Sequence, residues 1–190
     1  MRLCTSWIHI LASITLLLLL LVAADGVGDL AMLRDSITNK AGNITALSNS
    51  TAAGSAPFTV GTFSYRTAQS MLGDLTAQLG TAQQNVQTDQ TSWINGQTLP
   101  LDGPYLDFSN TFFSLSQALT SLSKLAHSSD LNPPIVQGIA AVSDQYHTYA
   151  SYLYDRNIIS RSSWIRSLSA MSSLASAEGP WSAGNGTQAR

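Results

Sequence analysis

Apolar residues recur along this chain at steps of three and four, the spacing of one face of an α-helix rather than of a strand. The first stripe, Leu30, Leu33, Ile37, Ala41, Ile44 and Leu47, predicts a helix over about 28–49. Asp29 and Asp35 lie toward its start, where the helix dipole favours negative charge. A second stripe, Ala68, Leu72, Leu75, Leu79, Ala82, Val86 and Trp93, predicts a helix over about 63–94, with Thr62 or Ser64 as N-cap. Tyr105, Phe108, Phe112, Leu115, Leu119, Leu122 and Ala126 form the third, over about 103–128, and Phe113 and Leu125 widen its face. Ile135, Ile139, Val142, Tyr146, Tyr149 and Leu153 carry the fourth, over about 133–157. Trp164, Ile165, Leu168, Met171 and Leu174 carry the fifth, over about 160–177.

The breaks between stripes have their own chemistry. Asn49 to Pro57 reads as a loop, and Asn95-Gly96 followed by Pro100 and Pro104 forbids one continuous helix. Asn132-Pro133-Pro134 suits a cap followed by first-turn prolines. Phe58 to Phe63 is the sole strand candidate, and a lone strand has nothing to pair with. Beyond Gly179-Pro180 the periodicity is lost, which predicts a disordered tail over 179–190. The expected architecture is an all-α, antiparallel bundle of about five amphipathic helices spanning 25–178. Short connections predict that consecutive helices are antiparallel neighbours.

Residues 1–24 form a separate unit. Arg2 precedes an apolar run from Ile8 to Val22, with six consecutive leucines from Leu16, and Ala23-Ala24 supplies the small residues a signal peptidase needs. Cleavage is expected after Ala24, because the run is shorter than the roughly 20 residues of a spanning helix. The expected location is extracellular or in a cell wall, with no stable membrane span. Removal of this segment takes away Cys4, the only cysteine, so the mature chain must be held by packing without disulfides. Three sequons, at Asn43, Asn49 and Asn185, fit that compartment as glycosylation sites.

The mature chain carries eight Lys and Arg against eleven Asp and Glu, with neither sign clustered. A nucleic-acid partner needs a basic stripe, and none is present. Serine and threonine make up roughly a quarter of the mature residues and are expected to form the polar helix faces. They are mediocre helix formers, so tertiary packing has to supply most of the helical stability.

Chemistry is sparse. Asp144 and His147 stand one helical turn apart, an arrangement that in isolation reads as a surface hydrogen bond. Bundle di-metal sites use several glutamates, and this chain has one, Glu178. His127 suits a helix C-terminus. Asp74, Asp89, Asp107 and Asp144 are scattered over three helices, and no serine stands in a nucleophile-elbow context. No catalytic residue, metal ligand or cofactor is assigned.

The aromatic residues are more specific. Phe108, Phe112 and Phe113 crowd the third helix, Tyr146, Tyr149, Tyr152 and Tyr154 the fourth, while Gly73 and Gly138 supply small positions to face them. Such rings form either a solid core or the wall of a cavity between helices. The cavity reading draws its lining from Leu75, Leu79, Phe108, Phe112, Leu115, Tyr146, Tyr149 and Leu153.

A leader followed by a cysteine-free, low-charge, Ala/Ser/Thr/Leu-rich five-helix domain, opening at Asp29-Leu30, resembles the fungal hydrophobic-surface-binding proteins and the related cell-wall galactomannoproteins. The resemblance spans about Val27 to Ala177 and rests on architecture and composition; the present chain has more Tyr and Trp than that family's pattern. It implies a bundle that lodges fatty-acid-like chains or adsorbs to hydrophobic surfaces. Two readings follow. One is a secreted, non-catalytic binder of a fatty acid or other apolar small molecule, held between the second, third and fourth helices. The other is a secreted protein-interaction module of the effector or inhibitor type, with a filled core and a cell-wall or host protein as partner. A small hydrolase and a purely structural wall component stand behind them.

Overall fold

The computed structural model describes residues 26–55, 57–59, 61–88, 101–126 and 132–182. Residues 1–25, with the expected cleavage position at Ala24, and Asp89, Trp93, Asn95-Gly96, His127 and Asn185 lie outside the described residues. Five long helices form: α1 (Gly26–Ala52), α2 (Phe63–Thr88), α3 (Asp102–Ser123), α4 (Asn132–Asp155) and α5 (Arg161–Ser176). A single turn, α6 (Glu178–Ser182), follows. The fold is an all-α bundle, with no strand and no disulfide among the described residues.

The termini follow from local chemistry. The α1 helix runs past the expected loop boundary to Ala52 and stops where Gly54 takes a left-handed φ of 70°. There the Ser55 N–H donates to the Ser50 carbonyl and the Gly54 N–H to the Thr51 carbonyl, the paired bonds of a Schellman cap. The α4 helix ends the same way on Asn157, φ 56°, with Ile158 bonded to Leu153 and Asn157 to Tyr154. Thr62 caps α2, its hydroxyl oxygen accepting from the Tyr65 N–H at 3.4 Å. Ser160 caps α5, accepting from the Ser163 N–H at 3.2 Å. Its own N–H donates to Asp102 Oδ1 at 2.8 Å, which ties the start of α5 to the start of α3.

Packing order differs from the expectation of consecutive neighbours. The most extensive interface joins α1 to α3; α3 then lies against α5, α5 against α4, α4 against α2, and α2 more thinly against α1. The five helices therefore close into a ring. Directions alternate along the chain, so this order sets helices of the same direction side by side. Leu72 of α2 meets Gly138 of α4 and Gln83 meets Gln145, both advancing together. Asp102 and Tyr105 of α3 likewise meet Ser160 and Ser167 of α5.

A ring of five has a wider middle than a square of four. With axes 8–10 Å apart, the centre lies about 8 Å from each axis, against about 6–7 Å for four helices. Long side chains are needed to reach it, and α3 and α4 supply them from opposite sides. Phe112 stacks on Tyr146 with ring centroids 4.2 Å apart, and Phe108 sets its edge against Phe112, Tyr146 and Tyr149 at 5.5, 5.6 and 6.1 Å.

Two expectations about faces are corrected. Serine is not confined to the polar side: Ser48, Ser64, Ser109, Ser116, Ser163 and Ser167 are buried. In α5 the inward residues are Ser163, Ser167, Ala170, Met171 and Leu174, while Ile165 and Leu168 are exposed. Small residues let α5 approach α3 closely enough for Tyr105 to donate to Ser167 Oγ at 2.9 Å, and Ser167 in turn donates to the Trp164 carbonyl. Closeness, not apolarity, selects that face.

The tail expectation is also corrected over 179–182. Trp181 on α6 is buried to 1% exposure against Phe58, centroids 6.0 Å apart, and Phe58 also packs on Tyr65. One large ring anchors a segment whose composition reads as disorder. The same cluster accounts for Phe58, which is buried, while the Thr62 N–H donates to the Thr59 carbonyl at 3.1 Å and Phe63 opens α2.

Candidate ligand-binding groove

The eight residues expected to line a central cavity do converge. Leu75, Leu79, Phe108, Phe112, Leu115, Tyr146, Tyr149 and Leu153 are all at or below 1% exposure. They converge on one another, and ring contacts occupy the middle of the bundle. Gly138 meets Leu72, and Gly73 faces open space, so neither is the small position opposite the rings that its sequence context suggests.

Polar groups in this core are mostly paired. Tyr146 and Ser109 share a hydrogen bond of 2.6 Å, and Tyr105 is bound to Ser167. Burial raises the pKa of both phenols, and it does the same for Tyr149, with the charge of Asp29 adding to the effect. The Tyr149 hydroxyl is buried without a hydrogen-bond partner among the described residues. All three phenols stay protonated and neutral at physiological pH.

Open space lies elsewhere, at the thin α1/α2 seam. A groove of about 360 Å3 runs between the first half of α1 and the second half of α2. Met32, Leu33, Ala77 and Ala82 give it apolar walls, and Asp29, Ser36, Gln78, Thr81 and Asn85 supply polar atoms. None of the eight expected residues lines it. Ser36 donates to Gln78 Oε1 at 2.6 Å and so bridges the two helices, while Thr81 donates to the Ala77 carbonyl at 3.0 Å. Met32, on its rim, is 66% exposed.

In sequence, Met32 and Ala77 look like ordinary surface positions. The groove exists because the ring spreads α1 and α2, and that spacing has no signature in either helix alone. Asp29 was visible only as a first-turn acid.

Other candidates do not assemble. Asp74, Asp107 and Asp144 are exposed, and His147 is exposed with its ring edge on Trp164, centroids 5.5 Å apart. No group of three or more His, Asp or Glu among the described residues is placed to hold a metal ion. Asn43 and Asn49, the sequons within the described residues, are exposed on α1. No described helix is long and apolar enough to cross a membrane. No family model, curated protein or solved structure matches this chain.

Proposed function

We propose that this is a secreted, non-catalytic protein that binds a single-chain lipid, with the chain lying in the groove between α1 and α2 rather than in the bundle centre. The observation that carries the reading is the groove itself, an apolar-walled space of about 360 Å3 on a protein whose central rings lie in mutual contact. Small-molecule sites run from about 300 to 1,000 Å3, so this one suits one alkyl chain and is too small for two. The leader pattern supports secretion, and the resemblance to hydrophobic-surface-binding proteins points to the same ligand class.

A chain-length series tests it. Each buried methylene contributes about 0.8 kcal/mol, so affinity should rise roughly tenfold for every two carbons until the groove is full, then level off. Ala77→Trp, which fills the groove from an exposed position, should abolish binding while leaving the thermal midpoint nearly unchanged. Binding that survives Ala77→Trp would place the ligand elsewhere.

A second reading has its own observation. Ile165 and Leu168 stand one turn apart on the outer face of α5, 53% and 41% exposed. A protein partner docking there would be lost on Ile165→Asp without any change in lipid uptake.

A further inference from the structure

Arginine is unevenly placed along this chain. Arg156, Arg161 and Arg166 fall within residues 156–176, a stretch bounded by Asp155 and Glu178 that holds no acid of its own, in a mature chain where acids outnumber bases. Arg161 and Arg166 are exposed on α5, and neither makes an ion pair among the described residues. Arg161 stands in the first turn of α5, where no acidic residue accompanies it and the helix dipole disfavours a positive charge. Neither arginine gains an opposite charge within the fold.

The same helix carries the exposed aliphatic pair. At about 3.6 residues per turn, Arg161, Ile165, Leu168 and Ser172 form one stripe on the side of α5 away from the buried Ser163, Ser167 and Ala170. Ile165 and Leu168 are 53% and 41% exposed. Their neighbours Ser162, Ser169, Ser172 and Ser176 are short and also exposed. Two aliphatic chains and two guanidinium groups therefore stand above a floor of serine on a convex surface. Trp164, partly buried at the edge of this face, packs on His147 and Tyr154 with ring centroids 5.5 and 5.9 Å away.

We infer that the outer face of α5 docks the protein onto the surface of an anionic lipid bilayer, with Ile165 and Leu168 entering between head groups and Arg161 and Arg166 bonding to phosphates. Charge complementarity selects the occupant. Arginine lays its stem along apolar surface while its planar head reaches phosphate oxygens. Convexity selects a bilayer over an acidic protein. A fluid head-group layer closes around protruding side chains, whereas a protein partner needs a matching hollow and about 800 Å2 of contact on each side. In the ring order α5 lies across the bundle from the α1/α2 seam, so the inference does not depend on the groove.

Flotation of the leaderless chain with vesicles tests it, the leader being removed so that its apolar run cannot itself insert. Phosphatidylcholine vesicles containing roughly a third phosphatidylglycerol should take up the protein at least about tenfold better than phosphatidylcholine alone. Raising the salt from about 0.1 M to about 0.5 M should remove most of that difference. Arg161→Gln and Arg166→Gln should each weaken binding about fivefold. Arg66→Gln, which removes an exposed charge from α2, should leave it unchanged. Ile165→Ser and Leu168→Ser should each weaken binding about fivefold as well. All these positions are exposed, and unchanged circular dichroism melts check that the fold is intact. Ala77→Trp should bind vesicles like the parent.

No uptake by the anionic vesicles, or equal uptake by both compositions, would overturn the assignment. Equal losses in Arg66→Gln and Arg166→Gln would do the same, since they would mean general attraction of charge without a docking face. Full binding by the Ile165→Ser, Leu168→Ser double variant would also overturn it. Each of these outcomes leaves the groove reading standing, because alkyl-chain uptake is measured without vesicles and is lost through Ala77→Trp instead.

Discussion

Tyr146 and Tyr149 sit one turn apart on α4, both fully buried, yet their hydroxyls are in opposite situations. That of Tyr146 shares a 2.6 Å hydrogen bond with Ser109, itself 1% exposed. That of Tyr149 has no partner among the described residues. Replacement by phenylalanine preserves each ring and its contacts and removes only one oxygen. At 146 the change deletes a bond and strands the Ser109 hydroxyl, a loss of about 1–2 kcal/mol. At 149 it removes a polar group that was desolvated on folding with nothing in return, a gain of about 1 kcal/mol. The two variants should differ by about 2–3 kcal/mol. For a chain of this size each kcal/mol moves the thermal midpoint by about 2–4 °C, so the gap should be roughly 4–12 °C, with Tyr149→Phe the more stable. Circular dichroism melts of the two variants beside the parent measure it, and urea midpoints at constant slope check that only stability changed. If Tyr149→Phe costs as much as Tyr146→Phe, the 149 hydroxyl is paired in solution, and the account of the core as dry around it would be refuted.

Three further outcomes follow from named contacts. A Cβ at Gly138 would lie 2.9 Å from Leu72 Cδ1 and 3.1 Å from Leu72 Cβ, whereas one at Gly80 meets only Gln145 at 3.9 Å. Gly80→Ala should therefore stabilise by about 1 kcal/mol through helix propensity, and Gly138→Ala should destabilise by about 1 kcal/mol because overpacking exceeds the same gain, both read from urea midpoints. Trp181→Ala should cost about 3–5 kcal/mol, and truncation after Gly179 a similar amount; a truncated chain as stable as the parent would contradict the anchoring role of α6. Burial by itself would raise the pKa of Asp102, but the Ser160 N–H and the Ser163 and Ser160 hydroxyls outweigh it and hold the carboxyl below its ordinary value. A depressed folded-state pKa means stability that is present above the unfolded value near 4 and is lost as pH falls through the lower folded value. Asp102→Asn should thus be less stable than the parent at pH 7, with the difference closing below pH 4; a gap independent of pH would exclude the charge as its source.

Most of the helical architecture is legible from the sequence alone, because burying one face of a helix imposes a period close to 3.6 on apolar residues wherever the helix goes. Leu30, Leu33, Ile37, Ala41 and Ile44 announce α1 regardless of its partner, and Thr62 and Asn132-Pro133-Pro134 mark starts through backbone chemistry that is local. Where the signal is not local, the reading fails. The inward face of α5 is defined by Ser163 and Ser167, since what matters there is room for a close approach to α3, and Ile165 and Leu168 are left outside. Trp181 stands in a stretch of Gly, Pro and Ser, and it is ordered only because Phe58, more than 100 positions earlier, lies beneath it.

The candidate site is further still from the linear pattern. Phe108, Phe112, Tyr146 and Tyr149 carry the same spacing whether they line a hollow or fill one, and the choice depends on how far apart the helix axes stand. Closing five helices into a ring in the order α1, α3, α5, α4, α2 draws those rings across the centre and leaves the thinnest seam between α1 and α2. Helical period is a property of each segment, whereas free volume is a property of the distances between segments. The sequence by itself determined the all-α architecture, most of each helix's inward face and the residues available to the core. Only the tertiary structure decided that the centre is filled and that the open space, with Asp29 on its wall, lies at the rim.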